Sequence, residues 1–467
     1  MMRASFTSNI EKARLSKIGT VTLIKGDDCS SIITASNVLY DEPIVYGTTW
    51  IAWLHVVNIM LVNGASSLMW ASASSAPVAV SEWMQVNYTA LNWLSNLSAV
   101  INTLCSLITG WSYQRFGIKA NVLFAAGMNF IGCWIRCIAI IVPEHHRYTV
   151  MMAGQFFASL GGAFVYNISA KLASVWFAPQ HRGVANTLST LSVGMALAPV
   201  LIPLLCPTPE QVPWMLIVVS IISTACTIPS VFLPSSPRIP SSPSANQERM
   251  DFKQAVKCLA RNPGFIWVTI LCAVNSGMVF SVATLIIEAI SPIGYTDVQS
   301  GICASASVIA GFAGGMLSGY WAGKTAQHIM LIKIFTPMMV FTYLMLIFEM
   351  IPNAFSVILI ACILNGFFAY ALLPIHLELA CELSYPVPES VSSSLLWVIS
   401  TAATLIFSVV IDALRAGPEA NPPKNMKLAM IVACIIVAVG SIPTIWLKGD
   451  LKRTAFDKQV TDEKIEL

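Results

Sequence analysis

The chain alternates between long apolar runs and short polar breaks, and the runs have the length of membrane crossings. A spanning helix needs about 20 apolar residues. Twelve runs meet that rule: 48–72, 89–112, 120–142, 148–176, 183–206 and 213–232, then 264–290, 298–322, 328–351, 354–383, 390–414 and 426–447. The breaks "RFGIK", "VPEHHRY", "CPTPEQVP" and "AGPEANPPK" carry turn chemistry. One break differs in kind: the stretch from Pro234 to Gly264 is rich in Pro and Ser and then turns basic. It reads as a flexible linker followed by a short amphipathic helix at the membrane surface. The expected fold is all-α, with twelve transmembrane helices in two sets of six. The chain then divides into a tail (1–47), a six-helix bundle (48–232), a linker (233–263), a second bundle (264–447) and a second tail (448–467).

Composition agrees. Hydrophobic residues make up 56% of the chain and charged residues 10%, against about 25% charged in a soluble domain. The solvent is therefore lipid. The net charge of +3 is small and spread along the chain, so nucleic acid is not an expected partner. The expected partners are the bilayer and a small-molecule substrate, with the chain working as a monomer. Cys105, Cys133, Cys137, Cys226, Cys272, Cys303, Cys362 and Cys434 fall inside apolar runs and read as small packing residues. No Cys/His pattern has metal-ligand spacing, and no Ser/His/Asp set can be assembled, so neither a metal, a cofactor nor an enzyme is expected. The first 45 residues lack an apolar core followed by a cleavage site, and the first apolar run is expected to act as an uncleaved insertion signal.

Lys and Arg set the orientation. With the N-terminus in the cytoplasm, Arg115, Lys119, Arg182, Lys324 and the basic part of the linker all lie inside. Both tails are then cytoplasmic, and the plasma membrane is the expected location ahead of vacuolar or lysosomal membranes. The "NYT" triplet at Asn87 falls in the first external loop as a glycosylation acceptor.

The two sets of six echo one another. "VNG" (Val62 to Gly64) in the first run returns as "VNSG" (Val274 to Gly277) in the seventh, and "GWSYQRFGIK" after the second returns as "GYWAGKT" after the eighth. Parallel six-helix repeats joined by a central linker describe the major facilitator architecture. "GWSYQRFGIK" resembles that superfamily's loop signature: Gly110, Arg115, Gly117 and Lys119 fit, while Gln114 or Tyr113 takes the place of its acid. The plainer reading is a basic cytoplasmic turn.

A third echo carries charge. Aligning "KLASVWFAPQHRG" with "ELACELSYPVPES" sets Lys171 opposite Glu378 and Arg182 opposite Glu389, and Glu382 lies one turn beyond Glu378 on the same face. A charge inside a span is costly and faces a partner or a water-filled cavity. Repeats related by an axis along the membrane normal place equivalent positions across the centre. These five residues are therefore expected to form a cytoplasmic gate; the alternative is that each side chain snorkels to the interface.

The expected substrate zone lies nearer the midplane. Gly64, Ala65, Ser66 and Ser67 let helices approach closely, and Trp70 then projects a large ring. Phe280 supplies a second ring, and Ser400 and Thr401 add hydroxyls. The alternative for Trp70 is an interfacial belt tryptophan. Arg136 and Glu288 sit near external ends of runs and are expected to snorkel, with proton coupling as the alternative for each.

"NWLS" (Asn92 to Ser95), "NFIGCWIR" (Asn129 to Arg136), "KLASVWF" (Lys171 to Phe177), "LPIHLELACELSYP" (Leu373 to Pro386) and "SSSLLW" (Ser392 to Trp397) resemble the feline leukaemia virus subgroup C receptor-related transporters. The likeness covers nearly all of 48–447 and looks closest to the branch called major facilitator superfamily domain-containing protein seven. It implies a transporter of choline, ethanolamine or a similar amine. A non-transporting sensor or receptor, or an exporter of haem or another metabolite, is the rival reading. In that family a tryptophan of the first span and a tyrosine of the seventh flank the choline headgroup, helped by glutamines on the fifth and eleventh. By resemblance Trp70 is the tryptophan, Phe280 replaces the tyrosine, Gly194 replaces the first glutamine and Thr401 the second.

Overall fold

Hydrocarbon offers no water to backbone N–H and C=O groups, so a crossing chain must bond them within itself. The computed structural model describes residues 47–190, 192–237, 252–349, 354–417, 419–449, 451–456 and 459. Among these residues, eleven helices are long and apolar enough to cross a membrane. One of them, Tyr88–Ile138, has 51 residues and is two crossings in one. It breaks at Gly117, whose φ of 76° is a backbone conformation glycine adopts without steric cost. Asn121 fastens the break: its amide donates to the carbonyls of Ser112 (3.2 Å) and Gly117 (2.6 Å), and it accepts from the Ser112 hydroxyl.

Counting the two arms separately gives twelve spans. Span 1 is Trp50–Ser75, and spans 2 and 3 are the arms of Tyr88–Ile138. Spans 4 to 6 are Glu144–Trp176, Gln180–Leu205 and Pro209–Phe232. Spans 7 to 12 are Pro263–Ile293, Val298–Thr325, His328–Phe348, Phe355–Ser384, Glu389–Ala413 and Lys427–Ile445. The face where span 6 ends and span 7 begins is the linker face; the opposite one is the far face. The amphipathic segment before span 7 is a helix, Phe252–Arg261, that buries Ala255, Cys258 and Leu259. Residues 1–46, 238–251, 457–458 and 460–467, which hold most of the expected tails and the flexible part of the linker, lie outside the described residues.

Two spans that hydropathy reads as continuous are interrupted. Span 4 divides into Glu144–Tyr166 and Ser169–Trp176. Buried Asn167 sits in the gap, donating to the Ala163 carbonyl (2.7 Å) and to the Ser106 hydroxyl (3.1 Å). Span 5 divides into Pro179–Thr190 and Val193–Leu205. Here Asn63 of span 1 donates to the Ser189 and Thr190 carbonyls at 3.1 and 3.3 Å, and Ser192 returns a bond to the Asn63 carbonyl. Carbonyls freed by an interruption at membrane depth are thus met by a neighbouring span, which gives the Asn of "VNG" its purpose.

The first six and last six spans meet along two seams. Span 2 meets span 11 through Asn92 and Asp412 (3.3 Å) near the far face and through Thr103 and Thr401 (3.0 Å) midway. Toward the linker face the pair is Thr109 and Ser394 (3.2 Å). Span 5 meets span 8 through Thr187 and the Gly315 carbonyl (3.0 Å). Glycine permits the closest approaches. A Cβ on Gly110 would come within 3.0 Å of the Ser394 hydroxyl, and one on Gly183 or Gly301 would overlap the backbone of Gly319 or Pro199. The two sixes are therefore tied to one another near both faces.

Candidate substrate cavity and gates

Between the seams lies a cavity whose empty space, counted with its openings to solvent, is about 980 Å³. Its wall draws on spans 1, 2, 4, 5, 7, 8, 10 and 11, and spans 3, 6, 9 and 12 contribute nothing to it. Trp70, Phe280 and Thr401 are on the wall. Among the described residues, no lining residue is acidic, basic or histidine.

Rings dominate one side. Trp397 stacks between Tyr166 (centroids 5.8 Å apart, planes at 26°) and Phe280 (6.1 Å, 28°), and Tyr370 meets Phe280 edge-on at 6.5 Å. Trp70 is on the same cavity wall, with its indole N–H on the Ser95 carbonyl at 3.4 Å. That bond and its place on the inner wall separate it from a belt tryptophan. Several buried polar atoms on the wall have no protein partner: Ser66 Oγ, Ser95 Oγ, Asn102 Oδ1, Thr190 Oγ1 and Trp397 Nε1. A stranded polar atom in a dry cavity costs free energy unless a ligand or water meets it.

Two sequence candidates lie off the wall. Gly194 packs against span 1, where a Cβ would overlap the Gly64 carbonyl, so the position serves helix contact; its neighbour Met195 lines the cavity instead. Ser400 turns away and donates to Cys272 Sγ at 3.7 Å. Three wall residues, Tyr166, Tyr370 and Trp397, were not singled out from sequence. Trp397 precedes Thr401 by four residues and so shares its helix face, a signal the sequence did contain.

Arg136 does not snorkel. It is 1% exposed, and its guanidinium donates to the Met69 carbonyl (3.0 Å) and the Ser72 hydroxyl (2.8 Å). It thereby braces span 1 on both sides of Trp70. Glu288 does not snorkel either: it is buried and ion-paired with Arg415, which also holds Asp412 at 2.7 Å. Burial opposes the Arg415 charge, but Glu288 and Asp412 outweigh it and hold the guanidinium above the usual arginine value. Through Asn92 on Asp412, this cluster ties the two sixes at the far face.

At the linker face the structure gathers the five charged candidates. Lys171 and Arg182 are 2% and 1% exposed, which removes the snorkelling alternative. Both act electrostatically on Glu389, at the head of span 11. Glu378 receives the Asn186 amide of span 5 at 2.6 Å. Its other oxygen is ion-paired with Arg453, from the segment that follows span 12. Arg453 also bonds Glu382 at 3.2 Å and lies 3.8 Å from Glu389. The Thr454 N–H (3.0 Å) and hydroxyl (2.9 Å) complete the shell of Glu382. Burial opposes the Arg453 charge, yet Glu378 and Glu382 hold it well above the ordinary arginine value.

The loop-motif residues divide by exposure. Gly110 is buried in the span 2–span 11 seam, Arg115 is exposed, and Gly117 and Lys119 are half-buried. Asn87 is exposed at the far face and caps span 2, accepting from the Ala90 N–H at 2.8 Å. Among the described residues, none of the eight intramembrane cysteines is in a disulfide.

The sequence profile of the Major Facilitator Superfamily matches residues 59–409. The chain belongs to the major facilitator superfamily. It is a multi-pass membrane transporter of a small molecule, not an enzyme. Among characterised relatives, solute carrier family 49 member A3 of Danio rerio is 24% identical over 83% of this chain and 85% of its own length. Choline/ethanolamine transporter FLVCR2 of Rattus norvegicus is 24% identical over 89% of this chain and 77% of its own. Among solved structures, the E. coli fucose:proton symporter FucP superposes with a TM-score of 0.60 at 15% identity. It covers 84% of this chain and 99% of its own, a likeness of fold.

Proposed function

We propose that this transporter carries a small organic amine of the choline and ethanolamine kind by alternating access. The observation that carries the reading is the ring stack Tyr166–Trp397–Phe280, which shares with Trp70 a cavity that has no charged wall residue among the described residues. Ring faces attract a cation once water is excluded, and need no carboxylate to do so. A hydroxyl or second polar group of the substrate then meets Trp397 Nε1 or Asn102 Oδ1, which lack partners. Relatives named as choline/ethanolamine transporters support the same class. Haem fits less well, since its carboxylates would meet no basic wall residue.

The two charged clusters are the gates in this reading. Asn92, Asp412, Arg415 and Glu288 close the far face. Lys171, Arg182 and Asn186 meet Glu378, Glu382, Glu389 and Arg453 to close the linker face. Alternating access requires contacts that differ between two states, and each cluster includes partners from both sixes. The linker face, with Arg115 and Lys324 exposed, is cytoplasmic by charge bias; the bundles 48–232 and 264–447 rock about the cavity, in the plasma membrane, with Asn87 outside.

The deciding experiment is uptake of labelled choline and ethanolamine into proteoliposomes by wild type, Trp70→Ala and Trp397→Ala. Saturable uptake lost in both variants supports the amine site. Well-folded wild type with no uptake of either compound overturns it, and binding without flux would instead mark a sensor.

A further inference from the structure

A second chamber adjoins the first, and the amine reading leaves it unused. Trp70, Met195, Val308 and Tyr370 line both. Beyond them the second chamber lies between spans 1, 5, 7, 8, 9 and 10, with about 660 Å³ of empty space when its openings to solvent are counted. Val282, Ile286, Ala304 and Leu346 make its wall mostly apolar, beside the hydroxyls of Ser74, Ser75 and Ser307, and among the described residues no lining side chain is charged, as in the first. Asn365, its one amide, already spends its N–H₂ on the Thr342 hydroxyl at 3.1 Å.

An apolar chamber beside a cation-binding ring stack matches a ligand that is itself two-part. We propose that the second chamber is a subsite for an aliphatic arm, so that the transporter accepts amphiphilic amines with the ammonium in the ring stack and a short apolar chain past Trp70 and Tyr370. The inference rests on the amine reading of the first cavity and adds the class of its larger substrates. Trp70, Met195, Val308 and Tyr370 are all that the two linings share, so the arm would pass between these side chains. The gain is ordinary hydrophobic transfer: each methylene moved from water into the chamber tightens binding by about fourfold. Choline alone, with no such arm, leaves the chamber empty and is indifferent to its shape.

The test uses the full chain in phosphatidylcholine proteoliposomes, with tetramethylammonium and butyl-, hexyl- and octyltrimethylammonium as competitors of choline uptake. Inhibition should strengthen by about fourfold per methylene over the first carbons and then level off as the chamber fills. Ala304→Phe, which occupies the chamber, should flatten the series while leaving choline and tetramethylammonium unchanged. Val282→Ala, which enlarges it, should move the levelling point to longer chains and covers the case in which Ala304→Phe fails to fold. A flat wild-type series, or one that neither variant alters, overturns the subsite. Loss of choline uptake in a folded Ala304→Phe also overturns it, and makes the chamber an entry path. A thermal-shift measurement with tetramethylammonium separates the two levels of the argument. No shift sinks the amine reading and this inference with it; a shift with a flat chain series removes the subsite alone.

Discussion

Trp397 of span 11 and Tyr166 of span 4 stack on the cavity wall, with centroids 5.8 Å apart and planes at 26°. They belong to opposite sixes, so this contact lasts only while the halves are together at that height. A cation held against Trp397 is held at the joint between the moving parts. Trp397→Ala is expected to raise the KM for choline uptake by about 2- to 30-fold, the span of ~0.5–2 kcal/mol for a cation–π contact. Trp397→Phe should keep most of the affinity. Equal loss in both variants would point to packing and not to ring electrostatics, and concentration dependence of initial uptake rates reads the difference.

Choline should be preferred to ethanolamine. With no carboxylate on the wall, a quaternary ammonium sheds little hydration on entry, whereas a primary ammonium must leave three hydrogen bonds behind. Competition between the two labelled amines in one proteoliposome preparation measures the ratio. A clear preference for ethanolamine would mean that the unpartnered oxygens of Asn102 and Ser66 outweigh the rings.

Gly194→Ala is expected to lower thermal stability and yield, because the added Cβ meets the Gly64 backbone and not a movable side chain. Overpacking of this sort costs about 1–3 kcal/mol. Gly194→Gln should be worse, and should not restore the polar contact that the family comparison assigns to the position. A stable Gly194→Gln with altered substrate preference would return the residue to the cavity. Detergent melting curves and uptake assays on the same preparation decide.

Arg453→Gln should destabilise the linker face. It leaves Glu378 and Glu382, 7% and 2% exposed, without their shared counter-ion, and breaking a buried pair costs about 3–5 kcal/mol. Adding Glu382→Gln should recover part of the loss, since an acid without a partner is then removed. Melting temperatures of the two singles and the double form the cycle; additive losses would mean that Arg453 and Glu382 do not act on each other.

Asn186→Asp should open the same face. The change places a second carboxylate 2.6 Å from Glu378 Oε2, in a buried site where like charges repel strongly. A cysteine introduced at Thr401 should then react faster with membrane-impermeant maleimide added on the linker side. Unchanged labelling would exclude the Asn186–Glu378 bond from gating.

Hydropathy made the twelve crossings legible, and Gly117 marked the one tight turn hidden within a single long helix. It passed over the gaps at Asn167 and after Thr190, because the apolar bulk of each run outweighs the polar residues beside the gap, and the partners there, Ser106 and Asn63, are on other spans. Pairing the repeats brought Lys171, Arg182 and the three glutamates to one face. It could not find Arg453, which has no counterpart in the repeat and reaches the acids only through the chain's return after span 12. Arg136 and Glu288 were misplaced for a related reason. Their position in a span is visible in sequence, but the Met69 carbonyl and Arg415 that receive them are not. Gly194 shows the limit of column matching, since an aligned position does not say which way a helix is turned.

The interruption in span 5 makes it a jointed lever. Its upper piece, Val193–Leu205, carries Met195 into the cavity, and its lower piece, Pro179–Thr190, carries Asn186 to Glu378. Asn63 pins the lower piece to span 1, and Ser192 pins the start of the upper piece to the same residue. A push on one arm therefore turns about a fixed fulcrum and reaches the other with its direction changed, where an unbroken helix would only slide.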